Sequence, residues 1–170
     1  MSSFYTVDRL RTLREGLVLE PTQPDVAGSP ELQKHVTEMF PDGLTKHGTR
    51  YFLTLASGKN ATSYSIEIVF EFVRRAYFPE LPSRFHSVFA AASVEDATEF
   101  RRSFGTEKSS IWELVAAGSF RADMNLLTAS GTNAEYSLSA HKYWRGEPSP
   151  RPFWEFLLIP PVRAVRKLQE

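Results

Sequence analysis

The sequence predicts one α+β domain, and three observations carry that prediction. The elements read strand, helix, loop, strand, helix, strand, helix and then mostly strand, which a regular βαβ array would not do. No segment repeats. The 170 residues, 42% hydrophobic and 13% aromatic, supply one core but not two full domains, so residues 1–170 are expected to form a single unit.

The chain opens on FYTVDRLRTLREGL, Phe4 to Leu17, read as a short apolar strand, a brief charged helix and a stop at Gly16. EPTQPDVAGSP, Glu20 to Pro30, is rich in breakers and reads as a surface loop. Ser29, with Pro30 in the first turn, starts a helix that runs to about Met39 and ends at FPDG. RYFLTLAS, Arg50 to Ser57, partly alternates and is aromatic and β-branched, which predicts a strand, with SGKN turning the chain after it.

SIEIVFEFVRRAYF, Ser65 to Phe78, is the clearest helix. Ile66, Val69, Phe70, Val73 and Tyr77 form one stripe, and Glu71 and Arg75 form an i, i+4 pair outside it. Pro79 and Pro82 stop this helix, and PSRFHSVFAAAS leads into a strand centred on Ser87 to Ala91. Ser93 caps VEDATEFRRSFG, which has acids in its first turn, Arg101 and Arg102 in its last and Gly105 beyond it. SSIWELVAA and FRADMNLL read as strands on either side of a Gly118 turn, while Ser137 to Trp144 fits helix or strand. WRGEPSPRP is a proline-rich loop. FWEFLLIP, Phe153 to Pro160, is a strongly apolar final strand, followed by a solvated basic tail with Arg163, Arg166 and Lys167.

Composition narrows the chemistry. Twenty basic and twenty acidic residues cancel, so no overall positive field draws nucleic acid to the chain. Without cysteine there is no disulfide framework and no thiolate catalysis, and His35, His47, His86 and His141 show no HExxH or i, i+4 pairing for a metal. No charged segment precedes an apolar run at the start, and no window approaches the ~20 apolar residues of a membrane span; a soluble, cytoplasmic protein is expected. GxGxxG, GxxxxGK[ST] and GxSxG are all absent from the chain.

Three segments together resemble a known superfamily. FYTVDRLRTLREGL resembles the opening of ADP-ribosyltransferase-like domains, a Tyr-His-x-Thr type strand, a short helix and a Glu-Gly-Leu turn. SVFAAASVEDATEFRRSFG is similar to their second motif, an apolar strand ending at a Ser before a helix with a buried Ala, and WEFLLIPPVRAVRKL to their third, a Glu starting a final strand. FEFVRRAYFPELPSRFHSVFA and KYWRG resemble an uncharacterised bacterial branch. The first motif departs from the family because Tyr5 stands where a His is usual. A rival second motif exists in RYFLTLASGKNATSY, which resembles the segment and stacking Tyr of the poly-ADP-ribose polymerase branch; the later segment is preferred because a helix and then IWELVAA follow it directly.

The resemblance implies a split, mixed β-sheet with flanking helices and an NAD-dependent ADP-ribosyltransferase. It would be a bacterial or phage-related toxin that modifies a macromolecule, protein or nucleic acid, and that a neutralising antitoxin partner restrains. A catalytically silent module and an RNA 2'-phosphotransferase-like enzyme are the alternatives. The site residues it implies are Tyr5, Thr6 and Ser87 against NAD, with Tyr51 and Tyr64 under the rival placement, and Glu155 as the catalytic carboxylate.

Physical chemistry bears on Glu155 and adds Arg84. Glu155 interrupts PFWEFLLI, where a charge must face solvent or a cleft. A carboxylate about 4 Å from a developing ribosyl cation supplies roughly 4 kcal/mol at an effective dielectric near 20. Arg84, held between Pro82 and a strand, is the expected partner of the NAD pyrophosphate, because a guanidinium fork matches phosphate bidentately.

Overall fold

Two antiparallel sheets, three helices set against their faces and two more at one side make up the computed structural model, which describes residues 2–26, 28–55, 61–105 and 108–169. The elements are β1 (Ser2–Asp8), β2 (Val18–Leu19), α1 (Pro30–Met39), α2 (Lys46–Leu53), α3 (Ala61–Tyr77), β3 (Val88–Ala90), α4 (Val94–Phe104), β4 (Ser110–Ala116), β5 (Gly118–Asp123), α5 (Asn133–Trp144), β6 (Trp154–Ile159) and β7 (Val162–Gln169). One sheet has the order β1-β4-β7-β2 and the other β3-β6-β5. Every strand pair in them is antiparallel, so the architecture is α+β without the mixed sheet the sequence predicts.

The layers follow from side-chain alternation along the strands. Phe4, Leu114, Val162 and Ala164 of the first sheet meet Ala90, Phe156 and Leu158 of the second to form the core between sheets. The opposite face of the first sheet takes α4, whose Ala97 lies against Ile111, Tyr5 and Val7. The opposite face of the second sheet takes α3 and α5, where Phe70, Ala140, Tyr143 and Trp144 pack on Ala122 and Leu157. Helices α1 and α2 close a smaller cluster around Phe40, Leu44 and Phe85.

Four expectations are corrected. Residues 9–17 form no helix: the Asp8 carboxylate accepts from the Thr12 and Leu13 N–H groups at 3.1 and 2.8 Å, and Gly16 and Leu17 pair with Ala164 of β7. The chain therefore turns at Arg11, which has φ +54°, and runs back along the sheet. RYFLTLAS is not a strand. Thr45 caps a helix by accepting from Gly48 N–H, and that helix carries Tyr51 and Phe52 as far as Leu53; the SGKN turn lies outside the described residues. Gly48 is required there, since a Cβ would come within 2.3 Å of the Phe85 carbonyl oxygen.

The basic tail is the third correction, because it forms β7, an inner strand of the first sheet. Val162 and Ala164 are buried there while Arg163 and Arg166 face out, so alternation rather than net charge decides its place. The fourth concerns α3, whose fully inward line is Glu67, Phe70, Glu71 and Arg74, while Tyr77 is 65% exposed. The Glu71–Arg75 pair forms at 2.7 Å, but Glu71 is buried, and Arg74 and the Ser83 hydroxyl also donate to it.

Ser137 to Trp144 resolves as helix, begun by a capping box in which Thr132 and Glu135 satisfy each other's backbone N–H groups. The helices started by Ser29 and Ser93 have the expected bounds, with each serine accepting from the first turn.

Candidate functional site

The two sheets are stitched together beside α4. Tyr5 and Ala91 exchange both backbone hydrogen bonds, at 2.9 and 2.7 Å, and the Thr6 hydroxyl donates to the Phe89 carbonyl at 2.8 Å. The β1 edge is thus held on the end of β3, and a cavity of about 90 Å³ opens between them. Tyr5, Thr6, Val7 and Arg9 form one wall, Phe89 to Ala91 a second, Asp96, Ala97 and Phe100 of α4 a third, and Met124 with Phe153 to Glu155 the last. The Phe100 and Phe153 rings stack at 6.4 Å and 14°, and the Arg9 guanidinium lies 5.6 Å over Phe100. This volume suits one ring, not a dinucleotide.

Glu155 reaches the cavity from β6. It lies two residues before Leu157 and shares its face, which turns it toward the helical layer, where Tyr143 of α5 and Arg84 of the turn before β3 offer polar partners instead of a dry core. Its Oε1 accepts from Tyr143 OH at 2.8 Å and from Arg84 Nη1 at 2.5 Å. Its Oε2 makes no hydrogen bond among the described residues and is not sealed off from solvent. The carboxylate is thus anchored through Oε1 on a residue that lines the cavity.

Arg84 is the centre of the anchor. Its Nε and Nη2 grip Glu67 bidentately at 2.8 and 2.9 Å, its Nη1 also reaches Tyr143 OH, and its cation lies over the Phe89 ring at 4.6 Å. Burial alone would raise the Glu67 pKa, but the charges of Arg84 and His47 outweigh it and hold this carboxyl far below its ordinary range. Burial would likewise lower Arg84, yet Glu155 and Glu67 push it well above its ordinary value. Tyr143 is raised well above the usual phenol value, first by burial, and stays a neutral donor. His47 Nε2 stands 3.2 Å from Glu67 Oε1 but outside hydrogen-bonding geometry, and its ring packs on Tyr51 and Phe89.

The structure thus brings Tyr5, Thr6 and Glu155 to one cavity. The other expected site residues do not line it. Arg84 is 3% exposed with its fork committed to two carboxylates, so it is not placed to meet a pyrophosphate. Ser87 is buried outside the cavity and donates to the Ser83 carbonyl at 2.8 Å, because residues 83–87 form a turn before β3 begins. Tyr51 and Tyr64 lie on α2 and α3 with their rings 4.9 Å apart, and neither lines the cavity.

Sequence reading missed Arg9, Phe100 and Phe153 at the cavity and Glu67 and His47 behind it. A usable signal was present in α3, where Glu67, Glu71 and Arg74 recur at i, i+4 and i+7, the spacing of one helix face. Among the described residues, no group of three His, Cys, Asp or Glu side chains is arranged to hold a metal ion.

The family described as a protein of unknown function (DUF2441) matches residues 25–170. No curated protein matches the chain.

Proposed function

The chain belongs to that family, and we propose that it is an NAD-dependent ADP-ribosyltransferase built on an ADP-ribosyltransferase-like split sheet. One observation carries the reading. Glu155 of the third resembling segment, anchored through Oε1, lines an aromatic cavity whose other walls come from the first and second segments. Tyr5, Ala91 and Glu155 are far apart in the chain, and only the fold makes them neighbours.

In this reading the nicotinamide ring enters the cavity against Phe100 and Phe153, and the rest of NAD lies across the mouth. Arg9, on the cavity wall and exposed, takes the pyrophosphate in place of Arg84. The bond between ribose C1' and the ring nitrogen breaks, its electron pair leaves with nicotinamide, and the acceptor forms the new bond to C1' and releases its proton. Glu155 Oε2 steadies the positive charge that develops on the ribose, and the apolar walls strengthen that effect by excluding water. Tyr143 and Arg84 keep Oε1 fixed so that the carboxylate does not turn away.

A second reading is a module that binds NAD without cleaving it. It is favoured by Tyr5 standing in the place of the usual His and by the Thr6 hydroxyl being committed to the Phe89 carbonyl. The RNA 2'-phosphotransferase alternative needs several Arg and His side chains in the cleft, and this cavity has Arg9 alone of those types among its lining residues. Incubation of the protein with labelled NAD and cell lysate, followed by protease or nuclease digestion, decides between them. Label in a macromolecule supports transfer and identifies the acceptor class; NAD binding without label or nicotinamide release supports the silent module.

A further inference from the structure

We infer that Glu67, which does not touch the cavity, makes that cavity selective for a positively charged aromatic ring. The inference rests on the proposed site but concerns a different residue and a different measurement. The buried cluster behind the cavity contains two carboxylates, Glu67 and Glu155, and one guanidinium, Arg84. Three charges of two signs leave a net −1. Arg84 is shared between them: Glu67 takes the bidentate fork through Nε and Nη2, and Glu155 receives the Nη1 donor at 2.5 Å. One guanidinium cannot neutralise both carboxylates, so with Glu67 ionised the cluster keeps a net negative charge beside Glu155, which lines the cavity.

Remove the Glu67 charge and the cluster becomes neutral. Arg84 would then serve Glu155 alone, and a ring in the cavity would face a compensated ion pair rather than an anion. The surroundings make the difference count. The cluster is walled by Phe89 and Tyr143, so its field reaches the cavity through protein, not through water. His47, 3.2 Å from Glu67, also borders the cluster, and the comparison is therefore made at one fixed pH in every arm.

The test uses two rings that differ in charge and scarcely in shape, 1-methylnicotinamide (cationic) and nicotinamide (neutral), titrated by ligand-observed NMR at pH 8 into the full chain. Wild type is expected to prefer the cation by about tenfold or more, Glu67→Gln to lose that preference, and Glu67→Asp to keep most of it, with thermal melting confirming that each variant is folded. A tenfold change corresponds to about 1.4 kcal/mol. Wild-type preference retained in folded Glu67→Gln overturns the role of Glu67 and leaves the proposed site standing. Wild type that binds neither ring, or both alike, overturns the inference and the proposed site together. Should Glu67→Gln prove unfolded, His47→Lys adds a positive charge beside Glu67 from the other side, and an unchanged preference in that variant also refutes the inference.

Discussion

Replacing Arg84 by methionine keeps an unbranched apolar stem and removes the guanidinium that joins two buried carboxylates. Four hydrogen bonds disappear, two to Glu67 and one each to Glu155 and Tyr143, while the carboxylate side chains remain only 8% exposed. Breaking a buried ion pair by removing one partner costs about 3–5 kcal/mol. The variant can escape part of that cost by protonating a carboxylate. From the ordinary glutamate value of 4.5, protonation at pH 7 costs about 3.4 kcal/mol, at ~1.36 kcal/mol per pH unit. A loss of about 4 kcal/mol at pH 7 is therefore expected.

The sign of the pH dependence separates this account from a simple packing defect. In the wild type Glu67 titrates below its unfolded value, so its contribution is complete above pH 4.5 and is lost only as pH falls well below that. In Arg84→Met burial acts unopposed by the guanidinium, the folded protein binds a proton that the unfolded chain does not, and stability falls as pH rises. The gap between wild type and variant should narrow by about 1.4 kcal/mol per unit from pH 7 to pH 5 for each carboxylate that protonates. Urea unfolding at three pH values measures it. A loss below about 1 kcal/mol at pH 7, or a gap that does not narrow, would show that the cluster is not formed as described.

Glu155→Gln preserves shape and removes the charge at the cavity, so transfer should fall a hundredfold or more, about 2.7 kcal/mol, with NAD affinity little changed; near-normal single-turnover transfer would remove Glu155 from the mechanism. Arg9→Ala should weaken NAD binding about tenfold, within the ~1.5–3 kcal/mol of a charge-assisted hydrogen bond, whereas neutralising Arg163, Arg166 and Lys167 together should change it less than about threefold by calorimetry. His86 is held below the ordinary histidine value of 6.5, chiefly by burial, and its Nε2 has no hydrogen-bond partner among the described residues. The unfolded chain thus takes up this proton first, so stability should rise with pH through the range just below 6.5, and denaturant titrations of His86→Gln should lack that rise.

Parts of the sequence reading that rest on local chemistry agree with the structure, and the helix read in residues 9–17, which contacts to β7 overrule, does not. Ser93 followed by two acids caps a helix wherever it stands, and Glu155 is conspicuous in an apolar run without any knowledge of its neighbours. Arg84 shows where that kind of reading stops. A guanidinium after a proline loop is equally ready to meet a phosphate or a carboxylate, and what decides is which carboxylates α3 and β6 bring to it.

By itself the sequence determined the α+β class, the starts of the helices at Ser29 and Ser93, the apolar strand around Glu155 and the absence of thiol chemistry, since these follow from residue type and from spacing within a few positions. Only the tertiary structure decided that Arg50 to Leu53 is helical, that the basic tail is an inner strand, and that Glu67, Arg84, Tyr143 and Glu155 form one buried cluster. The reason is physical in each case. Gly48 allows α2 to lie against the Phe85 carbonyl, Val162 and Ala164 are drawn into the core between sheets despite the charges beside them, and a buried carboxylate is tolerable only where distant segments supply its partners.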